Sequence, residues 1–128
     1  VIEATGPLLG MSVRKFGRTT GLTSGVIMDL EAETEVTYRN LPDAPKNTFV
    51  EQIFVEGDEP VAKAGDSGSV WVDSQNRAVA MAIGGPSEEP YDHCYANRFT
   101  TVLQQLNVNL MTGVTQQDFI ASTSHLLL

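Results

Sequence analysis

The sequence predicts an all-β domain of antiparallel strands. Short segments rich in β-branched and aromatic residues follow one another along most of the chain, and Gly, Pro, Asn or Asp bounds each of them. This pattern is typical of an antiparallel sandwich or barrel with about six or seven strands. The predicted strands lie within residues 11–17, 24–30, 33–39, 47–57, 68–73, 78–85 and 95–101.

The local sequence predicts the conformation of two connections between these strands. Residues 73–77 separate two strand segments and predict a hairpin turn in which Asn76 adopts a left-handed conformation. Residues 41–47 contain two prolines, which cannot donate to a strand ladder, so this stretch predicts a loop. The C-terminal end differs, because Val102, Leu103 and Leu106 recur at helical spacing and predict a helix after the last strand.

Length and composition restrict the classes of protein that fit. A chain of 128 residues has room for one hydrophobic core. Its 41% hydrophobic and 19% charged residues indicate a packed domain rather than a disordered chain. The net charge of −8 argues against a nucleic-acid partner, since such binding depends on clustered Lys and Arg.

Cysteine use and hydropathy set further limits. Cys94 is the only cysteine, so no intrachain disulfide forms and the cellular compartment stays open. No apolar run approaches the roughly 18 residues that span a bilayer, so we expect a soluble protein without a membrane partner. Because the chain starts with Val1 rather than Met, we expect it to have been processed or cut from a longer protein.

Ser67 is the candidate functional residue. It lies in the Gly-Asp-Ser-Gly stretch of residues 65–68, between small residues and just before a strand. A nucleophilic serine needs an exposed hydroxyl on a tight turn, backbone N–H groups for the oxyanion, and a base. The stretch can supply the first two through Gly65 and Ser67. In isolation, the same four residues are also an ordinary turn.

Four stretches together resemble the second β-barrel of trypsin-like (chymotrypsin-fold) serine peptidases, in the same order and at similar spacing. They are residues 13–27, 64–72, 78–85 and 95–108, and through them the chain resembles that half of the family nearly end to end. The resemblance implies a single six-stranded antiparallel barrel with a C-terminal helix. We therefore expect one domain over residues 1–128, with the barrel in 1–110 and a helix and tail in 111–128.

The resemblance also implies roles for individual residues. Ser67 becomes the nucleophile, Gly65 and Ser67 the oxyanion donors, and Asp66 the buried acid that stabilises the loop. Ile83, Gly84 and Gly85 match the segment that binds substrate backbone as an added strand.

Two further positions match the walls of the specificity pocket. Val61 and Ala62 fall on one wall and the region of His93 on the opposite one. Since Val61 is apolar, the carboxylate that binds Lys or Arg is not evident. The resemblance implies no metal or organic cofactor.

The base and its orienting aspartate are missing from the pattern. In the family they belong to a first barrel, and nothing in this chain resembles that barrel. A serine without a positioned base is a poor nucleophile, because the triad acts as a unit. We therefore interpret the chain as the C-terminal, nucleophile-bearing half of a serine endopeptidase that acts on peptides or proteins. Its partner is then an N-terminal barrel that supplies His and Asp.

Other interpretations stay open at this point. The chain can be a catalytically inactive protease-like barrel that serves in binding, regulation or oligomerisation, since an exposed barrel face favours association as a homo-oligomer. It can also be a structural β-domain in which residues 65–68 form only a turn.

Alternative chemistry within the chain has weaker support. His93 is a candidate surrogate base or a pocket residue that favours acidic substrates, His125 is a candidate base for a neighbouring subunit, and Lys63 is a candidate partner in a Ser-Lys dyad. A metal site at His93, Cys94 and His125 lacks paired ligand spacing.

Three basic residues cluster near the end of the first predicted strand. Arg14, Lys15 and Arg18 either form a solvated strand face or supply the partner that a buried Asp66 needs.

Overall fold

A computed structural model of the chain describes residues 3–36 and 47–109. Six strands and one helix follow in chain order: β1 (Ser12–Gly17), β2 (Gly21–Val36), β3 (Asn47–Glu56), β4 (Val70–Val72), β5 (Ala78–Gly84), β6 (His93–Arg98) and α1 (Phe99–Leu106). No helix among these residues is long and apolar enough to cross a membrane. The predicted loop at residues 41–46, the predicted helix and tail at 111–128, and His125 lie outside the described residues.

The strands form a closed antiparallel barrel in the order β1-β2-β3-β6-β5-β4. Closure depends on the first and fourth strands, which pair antiparallel with Arg14 opposite Val72. The barrel confirms the six-stranded antiparallel fold predicted from the sequence. Every strand has a partner on both sides over part of its length, since β1 pairs with the first residues of β2 and β6 pairs with the last residues of β3.

One long strand replaces two predicted ones. The segments predicted at 24–30 and 33–39 meet in β2, which runs unbroken from Gly21 to Val36 and pairs with β3. Only Glu31 and Ala32 separate the two predicted segments. The ladder shifts register between Ile27 and Asp29 and again on either side of Ala32. Such bulges let a strand bend without losing its partner, which keeps the chain in the sheet.

The barrel interior is mostly apolar and contains a buried cation, Lys15. Trp71, Ile53, Val55 and Val79 are fully buried there. The alternation of exposed and buried residues along β1 places Val13 and Lys15 inside. A charged side chain within such a core needs a partner, and Lys15 has one in Asp66 of the loop between β3 and β4.

The hairpin between β4 and β5 has the turn that the sequence predicts. Asn76 adopts a left-handed conformation with φ of 61°. Asp73 closes the turn, because its Oδ1 accepts hydrogen bonds from the N–H groups of Gln75 and Arg77, both at 2.9 Å. The Arg77 guanidinium binds the other carboxylate oxygen at 2.7 Å. Burial raises the pKa of Asp73, but these hydrogen bonds outweigh it and lower the pKa below its ordinary value.

Helix α1 begins directly after β6 and packs against β5 and β6. Phe99, in its first turn, is buried against the barrel. The helix ends at Asn107, which is left-handed with φ of 53°, and the N–H of Asn107 binds back to the carbonyl of Gln104. Asparagine tolerates this conformation better than most residues, so the helix has a local stop signal.

Candidate active site

Ser67 lies in the loop between β3 and β4, at the mouth of a cavity. The residue is exposed, and its hydroxyl donates a hydrogen bond to the carbonyl of Ile83 at 3.2 Å. Ile83 lies near the end of β5, so the loop and that strand meet at this point. The structure therefore presents the hydroxyl to solvent beside the substrate-binding segment that the sequence predicts.

Asp66, the residue before the serine, points the opposite way into the protein. It is 2% exposed. Its Oδ1 accepts hydrogen bonds from the N–H groups of Thr19 at 2.8 Å and Thr20 at 3.1 Å, both in the β1–β2 turn. Its Oδ2 accepts bonds from the Thr20 hydroxyl at 2.8 Å and the N–H of Lys63 at 2.9 Å. One carboxylate thus ties the serine loop to the first hairpin.

These hydrogen bonds keep Asp66 ionised. Burial by itself raises the pKa of this carboxyl, since a charge is poorly solvated inside the protein. The donors from Lys63, Thr20 and Thr19 favour the charged form more strongly, and together they lower the pKa from 3.8 to about 2. The carboxylate is charged at neutral pH and stays fixed in the loop.

Lys15 is the cationic partner of Asp66. Its Nζ lies 3.6 Å from Asp66 Oδ2, and both side chains are almost completely buried. The ammonium also donates to the Thr20 hydroxyl at 2.9 Å and lies 5.2 Å from the centre of the Trp71 ring. Within the basic cluster, Lys15 is therefore the residue that supplies the partner for the buried Asp66. Arg18 is exposed, as expected of a solvated face.

Glycine is required at position 65. Its φ of +99° is a conformation that side chains with a Cβ rarely adopt. A Cβ there would also collide with the hydroxyl oxygen of Thr19. That hydroxyl is held in place because it donates to the carbonyl of Ala64 at 2.7 Å. The loop backbone and the hairpin therefore touch directly beside the serine.

The loop leaves two backbone N–H groups unused next to the hydroxyl. The N–H of Asp66 binds the Lys63 carbonyl at 3.1 Å, and that of Gly68 binds the Ala82 carbonyl at 2.8 Å. Among the described residues, the N–H groups of Gly65 and Ser67 donate to no protein acceptor. An exposed hydroxyl flanked by free N–H groups is the arrangement that stabilises an oxyanion during acyl transfer.

A cavity of about 270 Å³ adjoins the serine loop, and it gathers most of the residues predicted from the sequence. The predicted residues that line it are Ala62, Gly65, Asp66, Ser67, Ile83, Gly84 and Gly85. Larger clefts of about 530 and 410 Å³ lie along α1. Neither is lined by the serine loop, so volume alone does not locate this site.

Val61 and His93 lie apart from the cavity lining. Val61 is fully buried, and its carbonyl accepts a hydrogen bond from the Thr23 hydroxyl at 2.9 Å. The His93 ring lies 5.3 Å from the Phe54 ring, and its Nδ1 lies 2.9 Å from a carboxylate oxygen of Asp92. Val61 therefore supports the loop from the core, and His93 packs on the strand surface.

Lys63, the candidate partner in a Ser-Lys dyad, is not bonded to the serine either. Within the described ranges no histidine, lysine or carboxylate is hydrogen-bonded to the Ser67 hydroxyl. The ammonium of Lys63 lies 4.6 Å from the centre of the Tyr91 ring. No group of three or more potential metal ligands occurs among residues 3–36 and 47–109.

Several functional neighbours were not predicted from the sequence. Thr19 and Thr20 anchor Asp66, and their only signal was their place beside a tight turn. Cys94, Pro86 and Ser87 complete the cavity wall. Burial raises the pKa of the Cys94 thiol to about 11, although the Trp71 indole and the charge of Lys15 oppose the shift. The thiol is therefore neutral at physiological pH.

The closed six-stranded barrel has the fold of chymotrypsin-fold serine proteases, and solved structures confirm this fold. Chymotrypsin from Cellulomonas bogoriensis superimposes with a TM-score of 0.68 at 26% identity, over 88% of this chain and 55% of that one. Protease A from Thermobifida fusca gives 0.69 at 23% identity, over 88% and 55%. A glutamic acid specific serine protease that uses a histidine triad in substrate binding gives 0.68 at 18% identity, over 87% and 54%.

The chain thus spans little more than half the length of these proteases. No family model and no curated protein sequence matches it.

Proposed function

We propose that this chain is the nucleophile-bearing half of a serine endopeptidase, with Ser67 as the nucleophile. One observation carries the proposal: the exposed Ser67 hydroxyl belongs to a loop in which the N–H groups of Gly65 and Ser67 are free, and Asp66 and Lys15 fix this loop from inside. An ordinary turn does not require a buried ion pair beneath it. The likeness to solved serine proteases supports the same interpretation.

The chemistry follows from these groups. The Ser67 oxygen attacks the carbonyl carbon of the scissile bond while its proton passes to a base. The carbonyl oxygen becomes an oxyanion that accepts hydrogen bonds from the N–H groups of Gly65 and Ser67. When the carbon–nitrogen bond breaks, the amine takes the proton back from the base, and the acyl group stays on Ser67. Water then attacks the ester by the same route and releases the acid.

The end of β5 offers a docking edge for substrate backbone. β4 pairs with β5 only as far as Met81, and residues 68 and 69 bind the backbone of Ala82. Beyond that point, Ile83, Gly84 and Gly85 line the cavity beside the serine. An extended peptide added here would place a carbonyl near Ser67, since strand addition fixes backbone register.

The base must come from outside the described residues. This chain spans little more than half the length of the proteases that it resembles, so we assign His and Asp to a partner half that corresponds to the rest of their length. Phe16 and Leu22 form an exposed apolar pair across β1 and β2, at 76% and 69% exposure. We assign this pair to the contact with the partner half.

Peptide hydrolysis by the complete protein, together with any chain that supplies the base, tests the proposal. Ser67→Ala removes only an exposed hydroxyl, so we expect the protein to stay folded while kcat/KM falls by about 10⁴-fold or more. Ser24→Ala, an exposed serine on β2, is the matched control and should leave hydrolysis unchanged. If the wild type fails to hydrolyse any peptide but self-associates, the inactive binding module replaces this proposal.

A further inference from the structure

We propose that the cavity beside Ser67 selects an uncharged, apolar side chain on the acyl side of the scissile bond. This inference rests on the proposed function and adds the class of substrate to it. Four observations carry it: the chemistry of the cavity wall, the state of each of its two charged residues, and the absence of a histidine from its lining.

The wall is formed mainly by apolar and small groups. Glycines at positions 65, 84 and 85 contribute backbone, and the side chains include two exposed hydroxyls, those of Ser67 and Ser87. The apolar side chains are those of Ala62, Ala64, Ala82, Ile83 and Pro86, with the neutral thiol of Cys94. Alkyl walls of this kind favour an apolar guest, because both surfaces lose contact with water together.

Asp66 lines the cavity but is not available to a cationic side chain. Its two carboxylate oxygens already accept four hydrogen bonds, from Thr19, Thr20 and Lys63. Lys15 neutralises its charge from inside the barrel at 3.6 Å. The carboxylate is 2% exposed. A Lys or Arg side chain in the cavity would therefore lose its hydration without gaining a free counter-charge.

Lys63, the other charged residue of the lining, is exposed and lies at the rim. Its ammonium lies over the Tyr91 ring, 4.6 Å from the ring centre. A solvated cation of this kind adds little to the binding of a buried carboxylate, since water screens the pair. An acidic side chain would still have to enter an uncharged wall.

Histidine does not supply the missing positive charge. The glutamic acid specific protease uses a histidine triad in substrate binding. This chain has two histidines in all, too few to form such a triad from its own residues. The ring of His93 packs on Phe54 and binds Asp92, and His93 is not part of the cavity lining.

Peptides that differ only at the acyl-side residue test this inference on the complete protein. Leu, Phe, Glu and Lys are compared by kcat/KM per active site, with active sites counted by titration with a fluorophosphonate. Because burying an unpaired charge costs several kcal/mol, we expect Leu or Phe to exceed both Glu and Lys by about 100-fold or more. Equal or faster cleavage at Glu or Lys would overturn the inference.

Ser87 offers a matched pair of variants that tests the wall itself. Ser87 is exposed, so Ser87→Asp and Ser87→Lys are compatible with folding. We expect Ser87→Asp to raise relative cleavage after Lys by about tenfold and Ser87→Lys to raise it after Glu to a similar extent. Unchanged ratios in both would refute the assignment of this cavity. A wild-type protein with no titratable serine refutes the proposed function, whereas a titratable one that prefers a charged residue refutes only this inference.

Discussion

Replacing Lys15 by methionine measures what the buried cation beneath the serine loop contributes to stability. Methionine keeps most of the volume of the side chain but removes the ammonium that lies 3.6 Å from Asp66 Oδ2. Asp66 then remains a buried anion without a counter-charge. Because the serine loop is fixed through this carboxylate, the substitution tests whether an ion pair inside the barrel supports the active site.

The expected cost follows from the geometry. At an effective dielectric constant near 20, two unit charges at this distance attract by about 5 kcal/mol. The release of Lys15 from its desolvation penalty offsets part of that energy. Asp66 also keeps its four hydrogen bonds. We therefore expect the free energy of unfolding to fall by about 3 kcal/mol, at the lower end of the values for a broken buried pair.

Urea unfolding at neutral pH measures this change. Arg18→Met is the control, because it removes an exposed cation from the same hairpin and should cost less than about 0.5 kcal/mol. Combining Lys15→Met with Asp66→Asn should cost at least about 1 kcal/mol less than the sum of the single changes, since the pair is lost only once. If Lys15→Met costs no more than Arg18→Met, the ion pair does not support the loop.

Three further predictions concern the same site. First, the pKa of Asp66 is about 2 in the folded protein against an ordinary value of 3.8, so the ionised carboxylate contributes about 2 kcal/mol of stability that is present above pH 3.8 and lost as pH falls toward 2. The free energy of unfolding should therefore depend less steeply on pH over this range in Asp66→Asn than in the wild type. Identical pH profiles of the two proteins would contradict this prediction. Second, Gly65→Ala should lower the free energy of unfolding by about 2 kcal/mol or more, because position 65 has a positive φ and a Cβ there would collide with Thr19. Gly6→Ala is the control: position 6 has open space around it, so this variant should stay near the wild type in thermal unfolding. Third, Cys94 is buried with a pKa raised to about 11, so it should resist alkylation by iodoacetamide at pH 8 in the native protein and react in urea, as followed by intact mass. Rapid alkylation of the native protein would contradict the burial of this thiol.

The sequence predicted the barrel because strand signals are local. Alternating residues such as those of β1 and the turn at Asn76 depend on neighbours in the chain, and the structure confirms both. The boundary between two predicted strands was wrong at residues 31–32, inside β2. Pairing with the next strand, β3, decides that region, and bulges hold it in the sheet.

The candidate site was predicted only in part, for the same physical reason. Ser67 and Gly65 lie in one short sequence motif, so the resemblance was enough to predict their roles. The neighbours that fix the motif come from a distant hairpin, because Thr19 and Thr20 meet Asp66 across more than 40 positions. No local pattern shows that contact. The sequence offered three basic residues as possible partners of Asp66 and did not distinguish among them. The burial of Lys15 in the structure identifies it as the partner.

The most direct test of the central claim is labelling of the complete protein with a fluorophosphonate, followed by mass spectrometry of its peptides. Such a probe reacts with an activated serine regardless of substrate preference. We expect phosphonylation at Ser67 in the wild type and its loss in Ser67→Ala, while Ser24→Ala is labelled like the wild type. A folded, uninhibited protein that carries no label at Ser67 would contradict the account and identify the barrel as an inactive relative of the fold.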